Sequence, residues 1–132
     1  MKKPGIIEFH EMLKNKEVTS AELIKDSISN AYELQKKCNA FVTIIDDANG
    51  EFDENNYLSG IPYGIKDNYS TKDILSTGSS NTLKDYVPFF DATAVINLKN
   101  NGAVGVAKTA LDEFGMGGTG LTAHTGIIKN PW

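Results

Sequence analysis

Lys66 stands in the run Gly60-Ile61-Pro62-Tyr63-Gly64-Ile65-Lys66-Asp67-Asn68, an otherwise apolar, glycine-punctuated, strand-like stretch. Burying an ammonium is costly unless its charge is paired or its proton is lost. A lysine in such a place is either snorkelling to the surface or serving as a base. To deprotonate a hydroxyl it must itself be neutral, so its reference pKa of about 10.4 has to fall by several units, which desolvation can do. Gly60 and Gly64, with Ile61, Pro62 and Ile65, suit a tight, dry site. The plainer alternative is a lysine at the end of an edge strand, paired with Asp67.

A second chemical candidate is Asp112-Glu113-Phe114-Gly115-Met116-Gly117-Gly118-Thr119. Glycines and a hydroxyl can present backbone N–H groups to an anion or a carbonyl oxygen. The stretch is no phosphate loop, because the Gly-Lys-Ser/Thr ending is absent. Ser70-Thr71 and Ser79-Ser80 are nucleophiles by type only. No histidine lies near them in sequence, and neither pair sits in a Gly-x-Ser-x-Gly turn. They read as solvated loop serines, and His124 as a polar loop histidine. Asp46-Asp47 and Asp112-Glu113 read as solvated or capping carboxylates. His10, His124 and the lone Cys38 show no metal-ligand spacing, so no metal site is expected.

Several elements must position these groups. Residues 6–16 have the spacing of a short amphipathic helix, with Ile6, Phe9, Met12 and Leu13 on one face. Thr19-Ser20-Ala21-Glu22 is a capping box that starts a helix to about Lys36, with an apolar stripe of Leu23, Ile24, Ile28, Ala31 and Leu34. Residues 40–45 are β-branched enough for a strand. Residues 46–59 are Asn/Asp-rich and read as a loop. Residues 61–68 form a second strand or an extended segment. Residues 70–90 lack periodicity. Asp91 can cap a helix to about Asn101 with Ala94, Val95 and Leu98 inward, and Asn101-Gly102 stops it. Residues 103–107 form a short buried strand. The β–α–β order from 61 to 107 predicts a mixed or parallel sheet with helices on its faces. The glycine-rich tail from 115 to 126 is a loop shaped for close backbone approach.

Composition narrows the class. The chain has 132 residues and a net charge of −4, and its thirteen cations are all lysine. The charge argues against a general nucleic-acid-binding surface. Without arginine, bidentate guanidinium recognition is absent from the chain. The apolar runs are far shorter than the roughly 20 residues of a membrane span. Met1-Lys2-Lys3 is followed by Pro4, Glu8 and His10, which break a signal-peptide core, so a cytoplasmic protein without membrane contact is the default expectation.

Thr19-Ser-Ala-Glu-Leu23, Asn39-Ala-Phe-Val42, Gly60 to Asn68, Lys108-Thr-Ala-Leu-Asp-Glu-Phe-Gly-Met-Gly-Gly118 and Asn130-Pro-Trp132 together resemble, in order and spacing, the amidase signature family along nearly the whole chain. The Leu-Asp-Glu-Phe wording looks most like that family's branch of glutamine-hydrolysing A subunits in tRNA-dependent amidotransferases. The resemblance implies an incomplete α/β fold: N-terminal helices (1–38) and the start of a mixed-sheet core (39–132), both belonging to one domain. It implies a catalytic lysine, Lys66, working through a bridging serine on a nucleophilic serine. It also implies a substrate-binding loop at Met116, Gly117, Gly118 and Thr119, whose threonine keeps a hydroxyl at a position often held by serine.

The family's Gly-Gly-Ser-Ser-Gly-Gly segment and its later nucleophile segment do not occur in these residues. Residues 120–129 match poorly, with Leu121 where a polar residue is usual. The expectation is therefore the N-terminal part of a longer enzyme, inactive alone and prone to dimerise or unfold in isolation. The implied partners are subunits B and C, glutamine, and tRNA reached indirectly. No cofactor is expected in this chain; ATP and Mg would be used by the complex through a partner subunit. The alternatives are another hydrolase of the family acting on small amides, and a non-catalytic partner-binding module.

Overall fold

The computed structural model describes residues 4–132; Met1, Lys2 and Lys3 fall outside it. Among the described residues the order is α1 (Ile6–Lys14), α2 (Ser20–Cys38), β1 (Phe41–Ile44), β2 (Pro62–Lys66), α3 (Thr93–Asn100) and β3 (Val104–Thr109). Short 3-10 turns lie at Asn81–Leu83 and Glu113–Gly115.

The Thr19 capping box forms as the sequence dictates. Thr19 Oγ1 accepts from Glu22 N at 3.2 Å, and Thr19 N donates to Glu22 Oε2 at 2.8 Å. The helix runs two residues past the expected end and stops at Asn39, whose left-handed backbone (φ 54, ψ 45) closes it. Along its inward face Leu23, Ile24, Ala31 and Cys38 are buried, whereas Leu34, expected inside, is exposed. In α1 the expected face holds at Leu13 and at Phe9, which packs against the cluster of Leu13, Leu23 and Ile61, and Met12 is half-buried. Ile6 is exposed, and the buried positions are His10 and Leu13. The His10 ring packs among aromatic side chains, with its centroid 5.2 Å from that of Phe52 and 4.6 Å from that of Tyr57.

The sheet order is β1-β3-β2. β1 pairs antiparallel and β2 parallel to the central β3. The mixed sheet expected from the β–α–β pattern is thus present, with α3 as the crossover from β2 to β3. Helix α2 covers the sheet through Ile24, which packs with Val104 and Val106; Leu13, Leu23 and Ile61 form a second cluster where α1 meets α2. At roughly 1.5–3 kcal/mol per fully buried aliphatic side chain, these clusters supply the main favourable term.

Two boundaries differ from expectation. β3 continues through Lys108 and Thr109 instead of ending at Ala107. Helix α3 begins at Thr93 behind Ala92, without a side-chain cap. Asp91 instead accepts from Lys72 N at 2.8 Å and from Lys99 Nζ at 2.7 Å, tying the 70–90 segment to the helix. Of the inward set expected for α3, Val95 is buried and Ala94 is exposed.

Candidate functional site

β2 and β3 are parallel, so their carboxyl ends lie at one edge of the fold. In open α/β sheets ligand crevices form outside the carboxyl ends of the strands. Lys66 is the last residue of β2, and β3 ends at Thr109, three residues before Asp112 and the glycine-rich loop. The topology therefore brings Lys66 and the Met116–Thr119 segment to the same edge, although 50 residues separate them in sequence.

Lys66 itself is exposed, beside an apolar trough of Tyr63, Ile65, Tyr69, Ala94, Val95 and Leu98. The tight burial expected around it falls instead on Lys108. That side chain is fully buried. Its Nζ donates to Tyr69 O at 2.7 Å, Thr71 Oγ1 at 2.9 Å and Ser76 Oγ at 2.6 Å. The two hydroxyls direct their own protons elsewhere, Thr71 to Tyr69 O at 3.2 Å and Ser76 to Ile74 O at 3.1 Å, so both present lone pairs to the ammonium. All three ammonium hydrogens are satisfied. Burial lowers the Lys108 pKa to about 8, and the charge of Asp67, 3.9 Å away, resists the fall. At neutral pH the group is a cation with no lone pair to offer, and it serves as a tie between β3 and residues 69–76.

Asp67, also fully buried, is the hinge of this edge. Its Oδ2 accepts from Thr77 Oγ1 at 2.6 Å, Thr77 N at 3.0 Å and Ser79 N at 3.2 Å. Gly78 and Ser79 both have left-handed backbones, with φ of 59 and 52. For serine that conformation costs about 1 kcal/mol or more. The turn aims backbone N–H groups at one carboxylate, as anion-binding nests do, and these bonds offset the cost.

Ser79 and Ser80 are therefore not solvated loop serines; both are fully buried. Ser79 Oγ accepts from Leu111 N at 3.0 Å, and Ser80 Oγ donates to Glu113 Oε1 at 2.6 Å. Gly78 O accepts from Phe114 N at 2.8 Å, while Gly78 N donates to Asp67 O at 3.2 Å. The chain of contacts from Lys66 through Asp67 and Gly78 to Phe114 physically connects the lysine strand to the glycine-rich loop. Between them lies a cleft lined by Asp67, Asn68, Gly78, Tyr86 and Phe114.

Asp112, expected to be solvated or capping, is buried, and its carboxylate accepts from backbone N–H groups of the loop that follows. The N–H groups of Gly120 and Thr122, then that of Thr119, hold its pKa well below the usual carboxylate range. Met116, Gly117, Gly118 and Thr119 themselves are exposed. His124 has an exposed side chain, and its backbone N donates to Ser79 O at 2.9 Å. Among the described residues no cluster of three or more His, Cys, Asp or Glu side chains is placed to hold a metal. No helix among them is long and apolar enough to cross a membrane.

Sequence reasoning missed Lys108, Asp67 and Asp112. For Lys108 the signal was present: a single charge interrupts Ala103-Val-Gly-Val-Ala-Lys-Thr109, a run otherwise suited to a strand covered on both faces.

A family model described as Amidase matches residues 22–132. The A subunit of glutamyl-tRNA(Gln) amidotransferase from Streptococcus pneumoniae (strain 70585) is 45% identical over 138 aligned positions, covering 96% of this chain and 28% of that protein. The crystal structure of the glutamyl-tRNA(Gln) amidotransferase A subunit from Thermotoga maritima superposes with a TM-score of 0.81 at 31% identity, covering 100% of this chain and 29% of that one. The 6-aminohexanoate cyclic dimer hydrolase superposes with a TM-score of 0.83 at 23% identity, covering 98% of this chain and 28% of that one, a likeness of fold alone. The chain thus spans 28% of the length of the curated relative it matches.

Proposed function

The chain belongs to the amidase family, and from this we propose that it forms the lysine-bearing part of a glutamine-hydrolysing amidotransferase. One observation carries the reading: 45% identity to an amidotransferase A subunit over 96% of the chain. The position of Lys66, at the carboxyl end of a parallel strand and joined through Asp67 to the glycine-rich loop, supports it.

In this reading the full-length protein releases ammonia from glutamine. Neutral Lys66 draws a proton from the nucleophilic serine through the bridging serine, and the freed oxygen attacks the amide carbon. The C–N bond breaks, the nitrogen leaves as ammonia carrying a proton returned by the relay, and water resolves the acyl-enzyme to glutamate. Lys66 is the base; Met116, Gly117, Gly118 and Thr119 contact the substrate. Ammonia then passes to subunits B and C, which use ATP and Mg to amidate glutamate on tRNA(Gln) or aspartate on tRNA(Asn). Lys66 is exposed among residues 4–132, so the desolvation its chemistry requires comes from parts of the enzyme beyond them. Residues 1–132 contain neither serine segment, and alone they are inactive.

The test is Lys66→Ala in the full-length protein. A general base contributes about 10²–10⁴-fold, so ammonia release should fall by at least that much. Folding should stay intact, seen as an unchanged circular-dichroism spectrum and a cooperative unfolding transition. A full-length variant that kept its glutaminase rate would remove Lys66 from the mechanism.

A further inference from the structure

One buried carboxylate organises the glycine-rich loop without being a reacting group. Asp112 Oδ2 accepts from Thr119 N at 2.8 Å and Gly120 N at 2.9 Å. Its Oδ1 accepts from Thr122 N at 3.0 Å and Thr122 Oγ1 at 2.9 Å. The backbone at Gly117 presses on the same carboxyl: a Cβ there would stand 2.7 Å from its carbon and from Oδ2. Glycine at 117 is what allows the loop to close round the carboxylate. The amides of Gly117 and Gly118 are bonded to no described residue, and the space a Cβ would occupy at Gly118 is open. The carboxylate thus takes the amides of 119, 120 and 122 and leaves the exposed part of the loop uncommitted.

We propose that Asp112 is a positioning residue for substrate binding, its carboxylate holding residues 116–122 in the shape that receives the amide substrate. The proposal rests on the reading above in which Met116–Thr119 contact the substrate. The carboxylate is ionised across the neutral range, held so by its N–H donors, and the loop therefore stays gathered there. An asparagine at 112 is nearly isosteric. Its one oxygen can accept from one pair of donors, while its NH₂ then faces the other pair. The gathered shape becomes a minority state. If its population falls to about one-tenth, the apparent substrate affinity falls about tenfold. No reacting group is touched, so turnover of bound substrate is preserved and the effect appears in KM.

The experiment uses full-length Asp112→Asn with its partner subunits, measuring ammonia release from glutamine and hydrogen exchange of the amides at 116–122. The expected result is a KM raised about tenfold, kcat within about twofold, and faster exchange confined to the loop. Thr122→Val, which removes one donor and no charge, should raise KM less in the same direction. A fall in kcat at unchanged KM is the mark of lost folded enzyme and would overturn the proposal. So would a wild-type KM with wild-type exchange. Lys66→Ala assayed alongside separates the two readings, because retained activity there removes the base assignment and leaves the Asp112 KM comparison standing. If the wild-type protein releases no ammonia from glutamine, the proposed function fails. Exchange then decides the loop role, and unchanged exchange in Asp112→Asn overturns it.

Discussion

Replacing Lys108 by methionine decides whether the buried ammonium holds the fold together or is merely tolerated by it. Methionine approximates the aliphatic stem and removes the charge. Two effects oppose each other. Burial lowers the Lys108 pKa from 10.5 to about 8, outweighing the attraction of Asp67 and Asp91; at about 1.4 kcal/mol per tenfold, the charged form carries a net cost of about 3 kcal/mol, which removing the cation relieves. Against this, the substitution leaves Tyr69 O, Thr71 Oγ1 and Ser76 Oγ without their donor, and Asp67 buried without its cation. Removing one partner of a buried ion pair typically costs about 3–5 kcal/mol after such relief is included.

The geometry favours the second effect, because every ammonium hydrogen has an acceptor within 2.9 Å. We expect urea unfolding, followed by circular dichroism, to show a loss of about 3–5 kcal/mol. With a slope of about 1–3 kcal/mol per molar, the midpoint falls by about 2 M. The pH dependence sharpens the test. The folded-state pKa lies below the unfolded value, so between about pH 8 and 10.5 the unfolded chain binds the extra proton. Wild-type stability therefore rises with pH through that window relative to the methionine variant, by up to about 3 kcal/mol. A variant as stable as wild type, or a difference that stays flat from pH 8 to 10.5, would refute the reasoning.

Thr19→Ala removes the side-chain acceptor for Glu22 N, and the start of α2 should lose about 1 kcal/mol, measured as a lowered denaturation midpoint with unchanged slope. Ala107, wholly buried at the centre of β3, has no room for a larger group, and Ala107→Leu should cost about 1–3 kcal/mol by the same measurement. An unchanged midpoint in either variant would contradict the packing described for that position.

The parts of the fold legible in the sequence were those with a repeating cause. The capping box fixed the start of α2, Asn101-Gly102 ended α3, and the β–α–β order produced the parallel pairing of β2 with β3. Residues 70–90 resisted, because they are organised by single hydrogen bonds from Thr77, Ser79 and Ser80 to carboxylates elsewhere in the chain, and such bonds leave no period. Lys108 was hidden for a related reason. Its acceptors lie 39, 37 and 32 residues away, so only the tertiary structure shows that a charge inside an apolar strand is satisfied. At Asp91 local cap chemistry lost to a distant partner, Lys72 N.

Those long separations also set when the tie can form. An ammonium cannot leave water until β3, the turn at Tyr69 and the serine at 76 are already in place, because each missing acceptor leaves a hydrogen unpaired in a dry interior. Loops of more than 30 residues must close first. We therefore expect the Lys108 cluster to form in the last stage of folding, so that Lys108→Met leaves the refolding rate near wild type and speeds unfolding. Contacts of that kind leave the folding rate nearly unchanged and slow the escape from the native state. In kinetic terms the buried lysine is a latch: at neutral pH it lengthens the lifetime of the edge that carries Lys66 and the glycine-rich loop.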